Sequence, residues 1–147
     1  CYSYNTQIAI VEVDIITGKV RVLQVISVQD VGKILNQQVI EGQIHGGVLM
    51  GLGYALSEEF VYENGINLTD TLRKCKIPTA DQTPEITSII LEIPHPSGPL
   101  GAKGMAEGTV MATTPAIINA IYDAVGVRIT DLPATSEKIL AALNKED

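Results

Sequence analysis

At 147 residues the chain is one domain's worth, long enough to bury a core. Apolar residues make up 46% and aromatics only 4%, so that core is aliphatic, and the net charge of −7 without a basic patch argues against nucleic acid as a partner. The two cysteines, Cys1 and Cys75, have no metal-ligand spacing and fit a reduced, cytoplasmic protein, while no run is apolar enough to span a membrane and none reads as a signal peptide.

Cys1-Tyr2-Ser3 runs almost directly into a strand without an initiator Met, which reads as a piece of something longer. Thr6 to Asp14 is β-branched and apolar on both faces, so a largely buried strand is expected. Ile15 to Lys19 is a turn around Gly18, and Val20 to Val28 alternates as a second strand, which makes an antiparallel hairpin. Asp30 to Asn36 reads as a loop, with Asp30 as a turn residue rather than a chemical one.

Gln38 to Tyr62 carries Val39, Gly42, Gly46, Leu49, Leu52, Gly53, Leu56 and Phe60 at helical spacing. Glycine costs about 1 kcal/mol against Ala inside a helix, so its abundance here needs a reason. Gly42 and Gly46, and Gly47 and Gly51, lie four apart, so either another backbone packs closely or a flat ligand lies against the helix. His45, with Val48 and Leu49 three and four residues on, is expected to be partly buried or at a subunit contact, and Glu58 and Glu59 to close the helix. Glu63-Asn64-Gly65 is a turn, Asn67 to Asp81 an ordered loop with Cys75 inert, and Pro84 to Ile93 a third strand. Pro133 and Thr135 mark the start of a last helix, with Thr135 as N-cap and Ile139, Leu140 and Leu143 on its buried side.

Between the third strand and a helical run from Val110 to Val125 stands Gly98 to Glu107, GPLGAKGMAE. Four glycines, Gly98, Gly101, Gly104 and Gly108, surround one carboxylate at a loop-to-helix junction. Glycine lets a backbone approach a ligand closely. Read from spacing alone, Glu107 is either a first-turn acid that complements the helix dipole or a functional carboxylate. The glycines do not form a dinucleotide fingerprint, and there is no Walker loop.

GAKGMAEG, followed by PAIINAIYDAVGVRITDLPAT, and GQIHGGVLMGLGYALSEE earlier in the chain, resemble the closing part of the large molybdenum subunit of the xanthine dehydrogenase/aldehyde oxidase family. The resemblance covers nearly all of this chain but only the last part of that subunit. Ala106 stands where the family has Gly, which requires either a backbone outside φ > 0 or a displaced pocket wall. Gln37 and Ser136 replace prolines of the pattern, and Cys75 a tyrosine.

The resemblance implies an α+β fold, with a β-hairpin and further strands packed with a long Gly-rich helix and two C-terminal helices. It implies that residues 1–147 are the C-terminal part of a molybdopterin-binding domain. Glu107 would be the general base in the oxidation of a purine-like heterocycle or an aldehyde, with water as oxygen source. Gln43 would approach the molybdenum–molybdopterin cofactor, the cytosine dinucleotide form included, and Gly101, Ala102, Lys103 and Gly104 would offer backbone N–H groups to it. The cofactor carries the metal, so no protein metal ligand is expected. Partners would be the remainder of the subunit, iron–sulfur and FAD-bearing subunits or domains, and a small-molecule substrate. The isolated chain would be inactive, cofactor-free and prone to self-association. A cofactor-free binding or assembly module of the same fold, and a different carboxylate enzyme complete in itself, are the competing readings.

Overall fold

The computed structural model describes residues 2–145. Strands β1 (Asn5–Val13) and β2 (Val20–Asp30) form the expected antiparallel hairpin, closed by Asp14, whose carboxylate accepts the N–H groups of Ile16 (2.8 Å) and Thr17 (3.2 Å). Helix α1 (Gln37–Leu56) follows, then a small hairpin of β3 (Tyr62–Glu63) and β4 (Ile66–Asn67), and a single turn of helix, α2 (Leu72–Cys75). Strand β5 (Glu85–Leu91) then pairs with β2 in parallel, giving a three-stranded sheet ordered β1-β2-β5. Helices α3 (Gly108–Met111), α4 (Thr113–Val125) and α5 (Ser136–Leu143) complete the chain. The α+β class and the Gly-rich helix are as the sequence leads one to expect, but the run expected as one helix from Val110 to Val125 is divided at Ala112 into α3 and α4, so that three helices rather than two stand at the C-terminal end of the described residues.

One face of the sheet is covered. Val22 and Val25 pack with Ile40, Ile44, Val48 and Leu52 of α1, Ile117 and Ile121 of α4, and Ile139 of α5. The other face departs from expectation, because β1 is not buried on both sides. Ile8 and Ile10 point outward and are 56% and 45% exposed, with the half-exposed Ile89 of β5 on the same face. An apolar residue on both sides of a strand signals cover on both, but among the described residues Ile8 is left largely uncovered.

Helix α1 also differs. It starts with Asn36 as N-cap, whose side chain accepts the Val39 N–H at 3.1 Å, and it ends at Leu56 rather than Tyr62. Ser57 and Glu58 fold back and both donate to the Gly53 carbonyl, at 2.9 and 2.8 Å. The Glu58 carboxylate occupies the space that a side chain at position 53 would need. Burial there pushes the Glu58 carboxyl above its ordinary pKa. Glu58 and Glu59 therefore lie beyond the helix, and the apolar period that Phe60 continues carries no helical turn. Of the two places expected for His45, partly buried or at a subunit contact, the first is not found, since it is exposed in this chain. The run read as a loop holds α2, capped by the Thr71 hydroxyl, and the buried Cys75, whose thiol donates to the Thr69 carbonyl at 3.1 Å. Thr135 caps α5 as expected, and Ile139 is fully buried beneath it.

The glycines of α1 divide into two sets. A Cβ on Gly47 would lie 1.9 Å from Thr109 Oγ1, and one on Gly51 2.4 Å from Thr113 Cβ, so these two let α1 close onto α3 and α4. A Cβ on Gly42 or Gly46 would meet nothing within 4 Å. Close packing thus accounts for Gly47 and Gly51, while Gly42 and Gly46 line an open face. Gly47→Ala should destabilise the chain by about 1–3 kcal/mol through overpacking. Gly46→Ala, free of any clash, should stabilise it by up to about 1 kcal/mol. Chemical denaturation of the two variants beside wild type checks the sign of each.

Candidate functional site

The GPLGAKGMAE loop is stitched to the residues that leave β2. Lys103 N–H donates to the Val31 carbonyl at 2.9 Å, and Lys33 N–H to the Gly101 carbonyl at 2.9 Å, around a bridge between Gly32 and Ala102. Gly32 has φ +65, and a Cβ there would lie 2.4 Å from the Gly101 oxygen, so only glycine meets both demands. Gly101 itself is left-handed, at φ +85, and its carbonyl also accepts the His95 N–H at 3.0 Å.

A buried ion pair locks this seam. Lys103 Nζ lies 2.5 Å from Asp30 Oδ2, with the side chains only 6% and 3% exposed. Asp30 Oδ1 accepts the Gly32 N–H at 3.1 Å. Burial alone would raise the Asp30 carboxyl. The Lys103 ammonium and the Gly32 N–H outweigh it and hold the group below its ordinary value. Asp30 thus makes the local turn bond expected of it and, through Lys103, also anchors the seam.

These bonds engage most of the backbone donors expected in the loop. The N–H groups of Gly101, Ala102 and Lys103 donate within the chain, to Gly98, Pro99 and Val31, and the Lys103 ammonium is turned to Asp30. Of the expected backbone donors only Gly104 remains open. Among the described residues, the N–H groups of Gly104, Met105, Ala106 and Glu107 meet no protein acceptor. Ala106 is not among the residues with positive φ, so the methyl group that replaces the pattern's glycine imposes no backbone strain.

Glu107 has φ −69 and ψ −30 and stands at the N-cap position of α3, yet its side chain makes no capping bond. It is exposed. The first-turn acid role therefore lacks its hydrogen bond in this geometry. Below it, Gly108 and Thr109 are buried against β1, β2 and α1. Gln43 is exposed one turn before Gly47, on the side of α1 that also carries Gly42 and Gly46. The crossing of Gly47 on Thr109 brings the helix of Gln43 and the helix that follows Glu107 into contact. A cleft of about 420 Å³ between Arg21, Leu56, Gln82 and Ser136 is lined by neither residue. Among the described residues no three His, Cys, Asp or Glu side chains are grouped to hold a metal ion.

Sequence reasoning missed Thr109 and Thr113. They repeat at the same spacing of four as Gly47 and Gly51, which is the signal that pairs them. It also missed the ion pair and Gln7, whose partners lie 73 and 102 or more residues away.

The fold thus leaves Gly42 and Gly46 on an open face of α1 and, at the start of α3, an exposed carboxylate without a capping bond. Comparison with known proteins shows the family. The family described as molybdopterin cofactor-binding domain matches residues 1–84, and the chain belongs to that family. The nicotine 6-hydroxylase large subunit of Paenarthrobacter nicotinovorans is 39% identical over 145 residues, 96% of this chain and 18% of its own length. The aldehyde oxidoreductase of Megalodesulfovibrio gigas is 41% identical over 143 residues, 97% of this chain and 15% of its own. The crystal structure of the aldehyde oxidoreductase from Desulfovibrio desulfuricans superposes with a TM-score of 0.89 at 41% identity, over 97% of this chain and 16% of that one. That of quinoline 2-oxidoreductase from Pseudomonas putida gives 0.86 at 35%, over 93% and 18%. The chain thus spans less than a fifth of the length of these relatives.

The seam makes an acid-sensitive contribution to stability. Because the Asp30 carboxyl is held below its ordinary value of 3.8, that contribution is complete above the ordinary value and is lost as pH falls through the native-state value. Asp30→Asn should cost about 3–5 kcal/mol at neutral pH by leaving Lys103 buried and unpaired. The paired change Asp30→Leu with Lys103→Met should cost much less and flatten the acid limb. Urea titrations between pH 3 and 7 measure both.

Proposed function

We propose that this chain forms part of the cofactor-binding wall of a molybdenum hydroxylase, as the C-terminal part of its molybdopterin-binding domain. The observation that carries the reading is the uncapped, exposed Glu107 beside the crossing that also presents Gly42, Gln43 and Gly46. The residues fit the cofactor. Gly42 and Gly46 leave a space that any side chain would fill, so a flat group can lie against α1. The Gln43 amide donates and accepts at once and suits the mixed polar edge of a pterin. The open N–H groups from Gly104 to Glu107 suit anionic oxygens.

Bound there, the molybdenum–molybdopterin group supplies the two-electron oxidation of a substrate carbon, with water as oxygen source. The chain's own contribution is electrostatic and acid–base. Glu107 takes the proton from the oxygen that attacks the substrate, and α3 and the pinned loop fix the backbone that carries it. The names of the relatives, which include a nicotine hydroxylase and aldehyde oxidoreductases, support a heterocycle or an aldehyde as substrate. The remainder of the subunit would complete the pocket, and iron–sulfur and FAD groups on other subunits or domains would carry electrons away. The cytosine dinucleotide form of the pterin is compatible with the open side of α1. Cys75, buried as a free thiol, supports a cytoplasmic setting, and among the described residues no helix is long and apolar enough to cross a membrane.

In the enzyme that carries this chain, Glu107→Gln should lower kcat and kcat/KM together by about 10²–10⁴-fold while metal content is retained. A fully loaded variant with near-normal turnover would remove Glu107 from the chemistry. Gln43→Leu should reduce the retained pterin, read after gel filtration, without lowering the melting temperature, since the side chain is exposed in this fold.

A further inference from the structure

Between α3 and α4 the helix is broken at Ala112, and the break lies only a few residues after Glu107. The Thr109 carbonyl at this break accepts Gln7 Nε2 at 2.8 Å. The Thr113 hydroxyl shares its proton between Gln7 Oε1 at 2.5 Å and the Thr109 carbonyl at 3.2 Å. Gln7 thus uses both ends of its amide to tie the two sides of the break together. On the other side, the Thr109 hydroxyl donates to the Ala106 carbonyl at 2.6 Å, the residue immediately before Glu107. Thr109 and Thr113 are both fully buried, so each lost bond leaves a polar atom without water.

Gln7 is well placed to act as a datum. It lies in the middle of β1, paired opposite Ser27, with strand on both sides. Its side chain faces the helices, in a row with Asn5, against which Gly108 packs. A rigid strand sets side-chain positions more tightly than a loop does. The path from Gln7 Nε2 to the Glu107 backbone has only Thr109 and Ala106 between its ends.

We propose that Gln7 is a positioning residue for Glu107: it fixes the direction of α3 across the break at Ala112 and so aims the carboxylate. This rests on the reading of Glu107 as the base. The bland alternative is that Gln7 merely satisfies two buried polar groups and adds stability.

The test uses the complete holoenzyme with Gln7→Leu, Glu107→Gln and the double variant, each measured for metal and pterin content, kcat and KM. Hydrogen exchange of the peptides that span residues 104–113 is followed in the same samples. The proposal expects Gln7→Leu to lower kcat by about tenfold or more, as small misplacements of a reacting group do, with KM and cofactor content unchanged. Exchange in 104–113 should quicken, and Gln7→Leu should cost nothing further once Glu107 is Gln. If the two losses multiply, or if exchange in 104–113 is unaltered, Gln7 does not act through Glu107 and the proposal is overturned. Should Gln7→Leu fail to fold, Thr113→Val removes only the bridging hydroxyl and must give the same pattern at smaller size; silence in both exchange and coupling overturns it equally. Near-normal turnover of Glu107→Gln would instead sink the base reading and this proposal with it, whereas slow Glu107→Gln beside normal Gln7→Leu would sink the proposal alone.

Discussion

The structure depends on how closely α1 approaches the α3–α4 segment. At Gly47 and Gly51 the helix presents bare backbone, and the space is taken by Thr109 and Thr113. Thr114 adds a bond from its hydroxyl to the Gly51 carbonyl at 2.8 Å. A methyl group at either glycine would occupy atoms that already exist on the facing helix. The contact therefore sets the separation of the two helices, and with it where Gln43 and Glu107 stand relative to one another. Such tight seats are paid for by the helix propensity that glycine gives up.

What fills the seat is polar. Below Glu107 the chain buries Ser27, Gln29, Thr109 and Thr113 where aliphatic residues would pack as well. Gln29 donates to Ser27 at 3.0 Å, and Gln7 serves Thr109 and Thr113. Ser88 Oγ alone is buried without a partner among the described residues. A layer of this kind adds little net stability, since each bond replaces one to water. It does specify geometry, because a displaced partner leaves a buried group unsatisfied. Beyond it, the Asp30–Lys103 pair does the same for the loop: costly to desolvate, costly to break, and directional. The carboxylate of Glu107 thus stands between two polar locks, one ahead of it on the loop and one behind it in the helix.

Much of the frame was legible from the residues. The hairpin followed from two alternating runs around Gly18, and α5 from Thr135 and the apolar spacing after it, because both signals are local. The parallel pairing of β5 was not legible, since an apolar run carries no direction. The apolar period overruns the end of α1 because Phe60 keeps it, while that end is decided by Glu58 folding over Gly53. The exposure of Ile8 could not be foreseen from a pattern that reports only what a residue is suited to. At the site, the glycine-bracketed Glu107 stood out by motif. That Lys103 and the N–H groups of Gly101 and Ala102 are engaged internally did not, because Asp30 read as an ordinary turn residue and its partner lies 73 residues away.

The central claim is that this chain presents Glu107 and Gln43 to one bound cofactor, with the seam of residues 31–33 and 101–103 acting as support behind them. A crystal structure of the complete subunit with molybdenum–molybdopterin bound tests it most directly. The account predicts the Gln43 amide on the pterin, the Glu107 carboxylate facing the bound group, and the Asp30–Lys103 pair unchanged. A structure in which Lys103 has left Asp30 to hold the cofactor, or in which Glu107 is covered by another segment and faces no ligand, would contradict it.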